Sequence, residues 1–405
     1  MGAYLDLPAE NAGLKEWYGD QKVENLAYSD NPAFAMVPKE ESATGEYVPI
    51  PIIFEVSQGR SANFTNAQAN QTPMQLAKPL LVLRSDYSVA TIGHQAALAA
   101  ADSKGGFVNF AKKFIDIAIQ SATLSICSKL FRSGTGSISQ ISSISNGIIT
   151  LTNPADIVQF GYNQTLQAVP SDGGTPRAAL GYTTNRAIAG TLTVSATSLG
   201  GAAGTPSGWQ AGDFLVVQGD NNSAISGWAA WLPVTAPGPF DNFYGMNRSV
   251  DYRLYGVQYN GQSQMVEEAV MDHSILLARE KAKAKTLILN PGSYSAFLKA
   301  LGARREFVDF NTEGGVDMRG IRIDGGSGTI DCFMDRNCQA ATGFMLQMNT
   351  WKLYSLKPCP HLFDWGDGLE VLRLGNADAY EARAGYFANL GCDAPGWNGQ
   401  LSLSV

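Results

Sequence analysis

The tightest constraint on this chain lies in residues 104–132. Polar side chains at Asn109, Lys112, Lys113, Asp116, Gln120 and Thr123 recur mostly every three or four positions. Between them stand Phe107, Phe110, Phe114, Ile115, Ala118, Ile119, Ala122, Ile126, Leu130 and Phe131. That spacing predicts a helix with a narrow wet stripe and a wide apolar surface. Asp102 or Ser103 caps its start, and Gly134 follows its end. At ~1.5 Å per residue it would be about 40 Å long. A rod of that length needs partners along all of it. It is either a buried core helix of an α+β protein or the spine of a flat subunit.

The flanking segments bear on that choice. Residues 46–56 read as a strand in which Pro49 and Pro51 each remove a backbone donor, which suits an edge or a two-stranded ribbon. Residues 57–73 are polar, almost uncharged and rich in Asn and Gln, and residues 78–92 form a second strand. Together they predict a long hairpin with a polar tip. A two-stranded ribbon alone is marginal in water, so a projecting one implies a partner surface. Residues 1–42 show no sustained period, yet Trp17, Tyr18, Phe34 and Met36 are costly to leave solvated. They read as an extended arm packed on something else.

Beyond the helix the texture changes. Short β-like runs at 147–151, 191–194 and 214–217 alternate with Gly/Asp/Asn turns, which predicts a β-rich module over 150–222. From 261 an α/β pattern returns. Met265, Val266, Ala269, Val270, His273, Leu276 and Leu277 make one helical face, and 286–289 form a short buried strand. Asn290-Pro291 opens a further helix that Gly302 ends. In 379–387, Tyr380, Ala382, Ala384 and Tyr386 alternate with Glu381 and Arg383, a strand with one buried face.

A chain of 405 residues exceeds one core of about 250–300, so two or three lobes are expected. Only 16% of residues are charged, so much of the surface is expected in contact with other chains. The net charge of −7, with no Lys/Arg run, gives no electrostatic footprint for nucleic acid. Five scattered cysteines without a CxxC pair read as reduced thiols in a cytosolic setting. The polar, acidic start is no signal peptide, and no apolar run reaches the ~18 residues of a membrane span.

A search for chemistry returns little. The three histidines have no second His or Cys at a metal-ligand spacing, and His273 beside Asp272 points away from it on a helix. No nucleophile elbow, phosphate loop or dinucleotide fingerprint occurs. Gly325-Gly326-Ser327-Gly328 reads as a hairpin turn, residues 364–370 as a turn, and Cys332 and Cys338 as buried thiols. No catalytic residue, cofactor or metal is expected, and the chain is not expected to be an enzyme.

Four segments carry a resemblance. They are WYGDQKVENLAYSDNPAFAMVPK (17–39), QGRSANFTNAQANQTP (58–73), MLQMNTWKLYSL (345–356) and ADAYEARAGYFANLGCDAPGWNG (377–399). In content and order they resemble the major capsid proteins of tailed bacteriophages with the Hong Kong 97 fold. The resemblance implies an α+β subunit with an N-terminal arm (1–42), an extended β-hairpin loop (43–92), and a spine helix with peripheral domain (93–149). The β-rich module (150–222) would be an insertion, 223–345 the axial domain, and 346–405 the C-terminal strands of both domains. It implies self-assembly into hexamers and pentamers of an icosahedral head that encloses double-stranded DNA without sequence-specific binding, in the virion, assembled in the host bacterial cytoplasm. Because the arm begins almost at Met1, a separate scaffolding protein is expected; a portal protein is implied, and a decoration protein is left open. Assembly contacts are expected at Trp17, Tyr18, Gln58, Gly59, Arg60, Phe64 and Asn66. No Lys–Asn isopeptide trio can be matched. A different class stays open on Trp209, Trp228 and Trp231, a carbohydrate- or surface-binding β-rich protein, and an intracellular α/β enzyme lacks its loop motif.

Overall fold

The computed structural model describes residues 31–41, 43–94, 110–302, 306–311, 317–326, 328–363 and 372–404. The arm before residue 31, with Trp17 and Tyr18, lies outside them, as do residues 104–109 and 364–370.

The long helix runs Phe110–Lys129. Ala118, Ala122, Ile126 and Leu130 are buried, a repeat of four that forms one straight seam, with Cys127 and Phe131 beside it. Gly134, at φ 87°, takes the left-handed conformation that turns the chain away after the helix. The helix lies on the long strand Ala379–Cys392 and its partner Arg84–Gly93, which pair antiparallel from Ala379↔Gly93 to Ala388↔Arg84. The expected strand 379–387 therefore continues to Cys392. Its first half follows the alternation only in part: Arg383 is exposed between buried Ala382 and Ala384, but Glu381, expected on the same open face, is buried and Tyr380 is half-buried. Residues 388–392 are buried on both faces, because Trp351–Ser355 flanks them there and two lobes close over them. Lys39–Glu40 adds a parallel edge on Trp351–Ser355.

A seven-stranded sheet forms the second lobe, in the order Val257–Gly261, Gly399–Leu403, Thr342–Leu346, Thr286–Leu289, Gly328–Met334, Asp317–Gly325, Glu306–Asn311. Helices Val266–Arg279 and Pro291–Leu301 pack on it. Asn290 caps the second by accepting a hydrogen bond from Gly292 N, with Pro291 in its first turn and Gly302 after its end. The glycine run is a hairpin turn in which Gly325 pairs with Gly328.

The third lobe is a closed six-stranded barrel: Leu180–Ala187, Thr191–Ser195, Ile148–Leu151, Ser137–Ser145, Phe214–Val217 and Thr165–Val169. Its strands begin at Ser137, so they take in residues 137–149 as well as the β-rich stretch expected from 150. The Ser/Ile alternation of 137–145 has one inward residue in two, enough for a barrel wall but too weak to stand out against the preceding helix.

Aromatic residues join the lobes. Phe131 meets Trp228 edge-on at 4.9 Å, and Trp228 meets Trp351 at 6.3 Å between centroids. Gly227 lets this happen: a Cβ there would stand 2.2 Å from the Leu130 carbonyl oxygen. Trp228 and Trp231 are fully buried and Trp209 nearly so, which leaves no stacking platform for a sugar at these three positions.

His273 is buried completely behind Gly399, with Nε2 3.2 Å from the Val257 carbonyl. Burial pushes its pKa down from 6.5 to about 4. The unfolded chain thus binds the extra proton between those values. Stability from this group is present above pH 6.5 and lost as pH falls toward 4, roughly 3 kcal/mol at most. Asp335, raised by burial to about 6, acts in the opposite sense over part of that window. His273→Gln should therefore flatten the acid side of the stability curve measured by urea unfolding from pH 7 to 4; an unchanged slope would show that His273 is not buried neutral.

Candidate assembly surface

The hairpin expected over 43–92 is a ribbon of two short pairs. Tyr47–Pro49 pairs with Leu80–Val82, and Ile52–Glu55 with Gln75–Ala77. The two prolines fall at the first pair and just after it, where their missing donors cost no ladder in a wider sheet. The second strand of the hairpin does not run straight to residue 92. It leaves the ribbon after Val82 and at Arg84 enters the sheet of the long strand, which His361–Leu362 and Leu372–Arg373 complete to six strands.

The base of the ribbon is held by burial and by buried amides. Ile50, Ile52 and Leu81 sit in the main core. Leu80 N donates to the Tyr244 carbonyl at 3.0 Å. Asn389, wholly buried on the long strand, donates through Nδ2 to the Val82 carbonyl at 2.7 Å and to Tyr244 OH at 3.0 Å, while its Oδ1 accepts from Ser226 N at 2.8 Å. Further out, the Arg253 guanidinium bridges Glu55 and Asp251, the latter at 2.7 Å. The hydrogen bond from Arg253, with one from Gln58, holds the Glu55 carboxyl below its ordinary range.

Past this clamp the ribbon loses its own support. Ile53, Val56, Met74 and Leu76 are each more than half exposed. The tip is not the plain polar loop expected: Phe64–Ala69 forms a short helix. Asn63 Oδ1 accepts from Thr65 N at 2.9 Å, and Asn70 N donates to the Asn66 carbonyl at 3.0 Å, so local amides cap both ends. Gln58 N donates to Thr72 Oγ1 at 3.0 Å and closes the loop neck. Of the residues expected at an assembly contact, the tip brings Gln58, Gly59, Arg60, Phe64 and Asn66 together. Arg60 and Asn66 are exposed, and Phe64 is 80% exposed. Sequence reasoning missed the outward row Ile53, Val56 and Leu76; its signal was the strand period around Pro51, masked by a nearly continuous apolar run.

Removing the clamp should loosen the ribbon while the core holds. Arg253→Gln is expected to speed amide exchange across residues 52–77 and leave the melting temperature almost unchanged. Unaltered exchange there would mean that Ile50, Ile52 and Leu81 alone fix the ribbon.

The sequence matches no family model and no curated protein. Solved structures do match. The chain of the cyanophage A-1(L) capsid asymmetric unit superposes with a TM-score of 0.55 at 11% identity, over 96% of this chain and 97% of that one. The holo-SrpI encapsulin complex from Synechococcus elongatus PCC 7942 gives 0.47 at 7% identity, over 100% and 96%. The capsid of Myoviridae phage XM1 gives 0.45 at 8%, over 96% and 94%. With the cyanophage subunit the correspondence spans both chains almost end to end, and what it establishes is the fold: α+β, of the Hong Kong 97 type found in tailed-phage major capsid proteins.

Proposed function

We propose that this chain is a structural subunit that assembles with copies of itself into a closed capsid shell. The observation that carries the reading is the ribbon. It stands off the body with apolar residues facing water on strands too short to hold a core, and a second copy of the chain would supply the missing surface. The end-to-end fold correspondence with a capsid subunit supports it. On this reading the long helix and the six-stranded sheet form the peripheral domain, mainly over 93–149 and 346–405, and the seven-stranded lobe, drawn from 223–345 and the terminal strand Gly399–Leu403, the axial domain around hexamer and pentamer centres. The barrel around 150–222 is an inserted lobe. The shell encloses double-stranded DNA in the virion after assembly in the bacterial cytoplasm, with a scaffolding protein, a portal and a place for decoration.

Arg60 at the exposed tip offers a fork of donors to a carboxylate of the neighbouring copy. Replacing residues 58–72 by a short Gly/Ser turn should leave the subunit's circular dichroism and melting temperature unchanged and abolish closed particles in electron micrographs. Closed shells in normal yield would remove the ribbon from assembly.

The wall of such a container does not need to grip its contents. Purified subunits should bind double-stranded DNA no better than a neutral control protein at roughly 0.15 M salt in a filter assay. Tight binding that weakens steeply with salt would contradict the net charge of −7 as the governing quantity.

A further inference from the structure

The long helix carries a second polar row. Ser121, Ser125, Ser128 and Arg132 recur every three or four residues, with Lys129 beside them. Ser121 is exposed; the others are half-buried or buried. They form one wall of a cleft of about 940 Å³ whose other walls are the strand Arg84–Gly93 and the lower end of the barrel, with Arg336 from the seven-stranded lobe at its back.

Four cations reach this cleft, and their partners can be counted. Lys129 is fully engaged, with Nζ 2.7 Å from Asp86 Oδ2 and 2.9 Å from Asp220 Oδ2. Arg132, whose side chain is only 8% exposed, donates through Nη2 to Asp156 Oδ1 at 3.1 Å. Its Nε is buried and has no partner. The Nε of Arg336 is likewise buried and without a partner. Arg186, at the end of a barrel strand, donates to the Phe160 carbonyl. Among the described residues, neither Arg186 nor Arg336 is paired with a carboxylate. Arg186 and Arg336 thus line the cleft without a carboxylate of their own, while Asp86 and Asp220, which also line it, share the single Lys129.

The planar guanidinium matches the paired oxygens of a phosphate better than any other group. The space exceeds one phosphate group. At the rim, Tyr87 is 61% exposed and Ile188 95%, an aromatic face and an aliphatic knob beside the cations.

We propose that this cleft binds a polyphosphate-type oxyanion, with Arg186 and Arg336 gripping non-bridging oxygens. The ligand is either an inorganic polyphosphate or the phosphate chain of a nucleotide. The inference does not depend on shell assembly. Isothermal titration of the purified subunit with tripolyphosphate and, separately, with ATP tests it. One saturable site per chain is expected, weakened by salt. Arg336→Gln and Arg186→Gln should each lower affinity about tenfold or more, ~1.4 kcal/mol per factor of ten. Lys299→Gln, exposed on another lobe, should not. Arg186 is exposed on the barrel hairpin, so its variant decides the matter even where Arg336→Gln folds poorly. Equal affinity for the two ligands identifies the free phosphate chain as the ligand; tighter ATP binding that Tyr87→Ala removes identifies the nucleotide. Absence of saturable binding to both, or affinities in the Arg186 and Arg336 variants equal to that of Lys299→Gln, overturns the proposal and leaves a water-filled cleft.

Discussion

Lys129 is the point at which three parts of the molecule meet. It stands in the last turn of the long helix, and its ammonium group is shared between Asp86 of the sheet and Asp220 just past the last barrel strand. Burial alone would push the Asp86 carboxyl up; Lys129, with hydrogen bonds from Ser125 and Tyr386, outweighs it and holds the group below its ordinary range. Asp220 is left on the losing side: burial, with Asp86 close by, raises it despite the same lysine. The two carboxylates in turn raise Lys129 against the effect of its own burial. Such a cluster is weak evidence for stability, since desolvation offsets most of the Coulombic gain. Its value is directional. It admits one arrangement of helix, sheet and barrel, while apolar contact would tolerate several.

The barrel depends on this kind of contact more than the other lobes do. Its interior is its own: Ile141, Ile149, Leu166, Leu192, Val194 and Leu215 pack together and belong to neither of the other cores. Besides Lys129–Asp220, what ties it to the body is polar: the buried Arg132–Asp156 pair, and Gln159 donating to Asn337 Oδ1 at 3.1 Å. A lobe attached by charges and amides keeps its orientation without sharing a core.

Periodicity made the large elements legible and hid the joints. The helix, the capped Pro291–Leu301 and the alternating strand from Ala379 were readable because each repeats one physical pattern over many residues. The tip helix Phe64–Ala69 was not, because two side-chain caps create it within a stretch whose composition reads as loop. The serine row of the long helix was passed over for a similar reason. Ser121, Ser125 and Ser128 have short side chains that weigh little in a hydropathy pattern, and only the folded barrel partly covers that face. Burial of Lys129 and Asn389 follows from partners about 90 and 300 residues apart in sequence, which local pattern cannot encode.

The other two lobes are coupled in a different way. Strand residues alternate between faces, and here the alternation assigns them to different cores. Ile288, Phe344 and Leu346 pack with Trp228 and Trp351 in the first core, whereas Leu287, Leu289 and Met345 pack with the two helices in the second. One pair of central strands is therefore the wall between both cores, and neither can shift without breaking the other's packing. The helix, the six-stranded sheet and the seven-stranded sheet must then move as one rigid body. Freedom to adjust is left to the ribbon, which leaves that body beyond its Arg253 clamp, and to the barrel, which meets it through polar contacts. On the proposed shell role, this division suits a subunit that must fit unequal neighbours: a stiff body with adaptable edges.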